Sequence, residues 1–118
     1  MLISIECRDA ADVLGKIMAY AHQDDLKGST WENNALSVSD EGGPVRFVAH
    51  LDRPREMLRG VATEFVHLES FTPVAMPNRD RALRRKRVIA ERFRATLTAA
   101  LLNDGLESNS FKITIADL

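Results

Sequence analysis

The sequence predicts a single α+β domain over residues 1–118, an antiparallel sheet with helices packed against it. Three observations carry that prediction. Short runs alternate apolar and polar residues, the period of two that a half-buried strand requires. Longer runs repeat apolar residues at three- and four-residue spacing, the mark of an amphipathic helix. Glycine, proline and asparagine fall between these runs, where the chain has to reverse.

Residues 2–7 form the first strand, with Ile3, Ile5 and Cys7 on one face and Leu2, Ser4 and Glu6 on the other. Asp9 follows as an N-cap, its carboxylate placed to accept from the free amides of a first turn. The helix behind it carries Val13, Leu14, Ile17, Met18 and Ala21 as its stripe and ends between His22 and Asp25. Residues 24–34 are polar apart from Leu26 and Trp31 and read as a loop. Two alternating runs around "DEGGP" then predict a hairpin, because Gly42 and Gly43 can adopt the positive φ of a tight turn. Leu36 and Val38 face the core from one arm, and Val45, Phe47, Ala49 and Leu51 from the other.

Asp52-Arg53-Pro54 opens a second helix, since proline is tolerated in a first turn. Met57, Leu58, Val61, Ala62 and Phe65 make its stripe. "HLESFTPVAMP" follows as a short extended piece, marked as an edge or bulged strand by Pro73, which has no amide to donate. Asn78 caps a long basic helix that stops at Asn103-Asp104-Gly105. "SFKITIADL" closes the chain as a strand with Phe111, Ile113 and Ile115 on one face.

The order is therefore βαββαβ followed by αβ. Its first six elements resemble the ferredoxin-like sandwich, with helices on one face of an antiparallel sheet. The last helix and strand extend that layout.

Composition narrows the function. At 45% hydrophobic and 28% charged residues the chain is an ordinary globular protein. Cys7 is the only cysteine, so a disulfide framework and a multi-cysteine zinc site are both excluded. The first residues lack the basic and apolar regions of a signal peptide, and no stretch reaches the ~20 apolar residues of a membrane span. A cytoplasmic protein without membrane contact is expected, and the residues call for no metal or cofactor.

The net charge of −1 hides an asymmetry. Arg79–Arg94 holds eight basic and two acidic residues, a charge of +6, which leaves −7 on the rest. On a helical wheel, Ile89, Phe93, Leu97, Ala100 and Leu101 share the core side, but towards the N-terminus that side passes to Lys86, Ala82 and Arg79. A helix over residues 79–103 spans about 37 Å, as long as a domain of this size is wide. Its basic half is expected to overhang the body or to run along its rim.

That placement is electrostatically unfavourable unless an anion is near. Cations at a helix N-terminus oppose the macrodipole, and like charges three and four residues apart repel. Arginine outnumbers lysine seven to one here, and guanidinium binds carboxylate or phosphate through a two-pronged fork. The anion belongs to the domain's own acidic body, through carboxylates such as Asp24, Asp25, Asp40, Glu41 or Glu69, to a partner protein or second copy of the chain, or to nucleic acid. A pI near 6.3 disfavours nucleic acid, because the acidic body repels a polyanion. RNA-recognition domains are disfavoured further, since "LISIEC" has no aromatic on which to stack a base.

No catalytic constellation stands out. Glu64 and His67 have ExxH spacing, which puts two ligands on one face only if helix continues that far. His22 suits a helix C-terminus, His50 lies opposite Phe47 on its strand, and Cys7 reads as a buried inert thiol. The expected function is non-enzymatic: a small binding or inhibitory protein, or a homodimer, docking an acidic surface on Arg81, Arg84, Arg85, Lys86 and Arg87. Trp31 is a candidate anchor in its loop. A phosphate-contacting nucleic-acid binder and a small enzyme with a histidine–carboxylate site are the alternatives.

Overall fold

In the computed structural model, which describes residues 1–53 and 63–117, the chain runs β1 (Leu2–Cys7), α1 (Ala10–His22), β2 (Ser29–Glu32), β3 (Ala35–Asp40), β4 (Gly43–Asp52), β5 (Glu64–Glu69), α2 (Arg79–Asn103) and β6 (Lys112–Ala116). The six strands form one sheet in the order β2-β3-β4-β5-β1-β6, every pair antiparallel. The α+β class and the antiparallel sheet therefore stand. The ferredoxin-like order does not describe this sheet: β1 lies between β5 and the C-terminal β6, away from the β3–β4 hairpin.

Alternation sorts the strands into two faces. Ile3 and Ile5 stand opposite Leu68 and Val66, and Leu36 and Val38 stand opposite Phe47 and Val45. All eight are buried, and they join Val13, Ile17, Ile89, Phe93, Leu97 and Leu101 of the helices in one apolar cluster. Both helices thus cover the same face. The other face carries Ser4, Glu6, Arg46, Val48, His50, His67 and Glu69, and no helix of the described residues covers it.

α1 begins as predicted, with Asp9 Oδ1 accepting from the Asp12 amide at 3.0 Å. Its N-terminus takes a second carboxylate, because Glu64 accepts from the Ala10 amide at 2.8 Å. The stop of α2 also holds: the helix ends at Asn103, and Gly105 follows with φ of 93°. Its start differs. Asn78 precedes the first turn, but its backbone is left-handed with φ of 57°, and its side chain makes no capping bond. A capping side chain works from an extended backbone, which aims it at the amides of the first turn.

Three further expectations change. Residues 24–34 are not all loop, because Ser29–Glu32 pairs with β3 through a two-residue turn at Asn33 and Asn34. Both asparagines have positive φ, 52° and 58°, the geometry that lets a tight turn match strand twist. The helix expected from Asp52-Arg53-Pro54, with Met57, Leu58, Val61 and Ala62, lies outside the described residues. Phe65, placed in its stripe, belongs to β5 and points to the helix-free face, opposite Asp52. β5 is also no edge strand: it sits between β4 and β1, and Pro73 follows its end.

Candidate functional site

The N-terminal half of α2 runs along the rim of the sheet, tied down on two sides by its own cations. Asp40 ends β3 on the same face as Leu36 and Val38, so its carboxylate looks towards the helix. Arg85 reaches it at 2.6 Å through Nη2 and 3.2 Å through Nε, and also donates to the carbonyl of Gly43. The guanidinium holds the Asp40 carboxyl below the usual carboxylate range, and the Gly42 amide adds to the effect. Lys86 donates to the Phe71 carbonyl at 2.8 Å and to Thr72 Oγ1 at 2.7 Å. Burial, with Arg85 beside it, pulls its ammonium below its ordinary value.

The remaining basic residues divide into engaged and free. Arg87 lies 3.6 Å from Glu91 and 3.5 Å from Asp117. Arg92 reaches the Ser39 carbonyl, and Arg94 pairs with Glu91. Arg81 and Arg84 are exposed and have no ion pair or hydrogen bond among the described residues. Of the five cations singled out in the sequence, three are therefore held by the domain's own oxygens and two face solvent. Trp31 lies on the edge strand β2, opposite Leu36, and packs half-buried against the core.

Beside this helix lies a feature the sequence reading passed over. The connection from β5 to α2 carries Phe71, Val74 and Met76 in the open, Phe71 and Val74 at 80% and 86% exposure. It is not loosely held. The Ser70 amide donates to the Met1 carbonyl at 2.9 Å, Lys86 grips residues 71 and 72, and a turn closes from Met76 to Pro73. A cavity of about 310 Å³ opens between this segment and the helix, walled by Pro44, Phe71, Pro73 and Met76 and rimmed by Arg46, Arg85 and Lys86. The signal was present in "FTPVAMP": apolar residues between two prolines can fill neither a helix nor a central strand.

The histidines meet elsewhere. His50 and His67 are cross-strand neighbours on the helix-free face, their ring centroids 5.0 Å apart. Ser4 Oγ lies 2.9 Å from His67 Nδ1, and Asp52 is 3.7 Å from its Nε2. Glu64 is not with them: it points to α1, because residues three apart on a strand face opposite ways. Ser4, beside this cluster, sits mid-strand between β5 and β6, whose ladders claim the backbone amides an oxyanion would need. Among the described residues no group of three or more candidate ligands is placed to hold a metal ion. Cys7 is buried, its thiol pushed up to about 11 by desolvation and then by Glu64, so it is not a thiolate at neutral pH.

No helix of the described residues is long and apolar enough to cross a membrane. Comparison with protein-family models, curated proteins and solved structures finds no match to this chain.

Proposed function

We propose that the protein is a small non-enzymatic binding or inhibitory module that docks an acidic protein surface, on a partner or a second copy of itself, against the N-terminal half of α2. One observation carries the reading. Arg81 and Arg84 stand exposed near the positive end of a 25-residue helix dipole and make no ion pair among the described residues, Asp80 being the one acid of the first turn. The domain's own acids engage the neighbouring Arg85 and Arg87, and Lys86 adds an unneutralised charge. The adjoining Phe71 and Val74 supply the exposed apolar area that a protein interface needs and a phosphate backbone does not.

Capture of the partner from native extract tests it, with Arg81→Glu/Arg84→Glu as the paired bait. Loss of the captured protein with the reversed bait, the fold intact by circular dichroism, is the expected result. Undiminished capture overturns the proposal. Binding of a labelled oligonucleotide with a steep salt dependence would replace it with the nucleic-acid reading.

A further inference from the structure

The geometry points to a more specific occupant: the cavity beside α2 receives an extended acidic peptide segment, an apolar side chain entering between Phe71, Pro73 and Met76 and a neighbouring carboxylate settling between Arg46 and Lys86. The inference rests on the acidic-partner reading and narrows it from a surface to a segment.

Shape is the first argument. The cavity of about 310 Å³ has the volume of about ten waters at roughly 30 Å³ each, room for one large side chain and a carboxylate. It does not end at Phe71. A second depression of about 460 Å³, lined by Arg46, Val48, Glu69 and Phe71, continues onto the helix-free face of the sheet. The two share Arg46 and Phe71, so together they form a trough, which suits a chain in extended conformation.

Charge is the second. Glu69 lines the second depression but no carboxylate lines the first cavity, so the segment's own carboxylate belongs over the first, whose three cations are not equivalent. Arg85 is answered by Asp40. Lys86 is held only by a carbonyl and a hydroxyl, both neutral, so its charge is uncompensated. Arg46 is exposed and has no ion pair among the described residues. Two unanswered cations over an apolar pocket select an anion attached to something apolar. A purely acidic segment leaves the pocket unfilled, and a purely apolar one leaves both cations unpaired.

Rigidity is the third. The exposed side chains sit on a backbone already fixed by Lys86, the Met1 carbonyl and two prolines. Little conformational freedom remains to be lost on binding, which favours an anchor site.

A random peptide library displayed on phage and selected against the intact protein tests this. The expected motif places an apolar residue within two positions of an aspartate or glutamate. Synthetic peptides bearing it should bind by fluorescence anisotropy, and Phe71→Ser or Arg46→Glu, both at exposed positions, should each weaken them by roughly tenfold or more. Acidic peptides without an apolar position, lost on Arg81→Glu/Arg84→Glu but indifferent to Phe71→Ser, would overturn the segment while leaving the basic-helix reading in place. Failure to enrich any acidic motif also overturns the segment; the extract capture described above then decides the broader reading by itself.

Discussion

Gly42 shows how closely one residue can be tied to a distant one. A Cβ there would lie 2.7 Å from Arg85 Nε and 2.9 Å from its Cζ, nearer than non-bonded atoms tolerate. The clashing atoms are the far end of a flexible side chain, so Arg85 has to shift, and because its fork is already committed to Asp40 and the Gly43 carbonyl, Gly42→Ala should weaken the ion pair. The measurement is a double-mutant cycle with Asp40→Asn by urea denaturation. The two substitutions should be clearly less than additive, since both act on the same contact; additivity would show that Arg85 adapts. The pair also fixes a pH dependence. A carboxyl whose folded pKa is depressed stabilises the fold above its unfolded value, near 3.9, and loses that contribution as pH falls through the lower folded value. Asp40→Asn should therefore be less stable than the parent at pH 7, with the gap narrowing below about pH 3.9. A gap that persists undiminished in acid would mean the carboxylate's charge is not what matters. The sequence offered Asp40 as one of several acids able to answer the basic helix, but not its partner. "DEGGP" announced a turn, but which arginine of a run would meet its aspartate depends on the axial position of α2 over the sheet, set by Ile89, Phe93 and Leu97 settling into the core.

The β2–β3 hairpin is held together by its turn as much as by its strands. Four residues of β2 give little to pair with, so the register depends on Asn33 and Asn34 adopting left-handed backbone. Asn34 does more, donating from Nδ2 to the Ala49 carbonyl at 2.7 Å while its own carbonyl accepts from the Ala49 amide at 3.0 Å. Asn34→Ala keeps the Cβ but loses the side-chain amide that makes asparagine tolerant of left-handed backbone, where other L-residues cost about 1–2 kcal/mol, and it removes a hydrogen bond of roughly 0.5–1.5 kcal/mol. A loss of about 2–3 kcal/mol is expected from these terms by denaturation, with Trp31 fluorescence reporting on the same hairpin. Asn33→Gly should be close to neutral, because glycine meets the same φ without strain. The element was legible in part: "NN" is a turn signal, but "STWE" is too short to display a period. Long regular runs read correctly, as in β1, β4, α1 and the apolar half of α2, because each repeats its pattern several times. β5 failed for the opposite reason. Phe65 continued the helical spacing of residues 57–62 while also alternating with Val66, His67 and Leu68, and the sheet decided between them.

Across the whole molecule, α2 binds the sheet together from above, and its cations divide by what they hold. Arg85 links it to the β3–β4 hairpin, Arg87 to Asp117 beyond β6, and Lys86 to the segment that presents Phe71. Arg81 and Arg84 hold nothing among the described residues. A fold that needed the whole basic run for its own neutralisation would weaken on losing any of it; a fold that carries two cations for an external partner would not. Reversing Arg81 and Arg84 to glutamate moves the formal net charge from −1 to −5, two reversals of two units each. Exposed positions of this kind change stability by less than ~0.5 kcal/mol each, so the thermal midpoint should stay within about 4 °C of the parent. Acids suit a first turn, so the Arg81 reversal relieves an unfavourable interaction with the helix dipole and offsets part of any loss. Arg85→Glu should behave in the opposite way, setting a second carboxylate against Asp40 and lowering the midpoint well beyond the double reversal. Thermal denaturation followed by circular dichroism separates the two cases. Equal losses from Arg81→Glu/Arg84→Glu and from Arg85→Glu would show the basic run to be a single structural device, and the solvent-facing arginines would then no longer point to a partner.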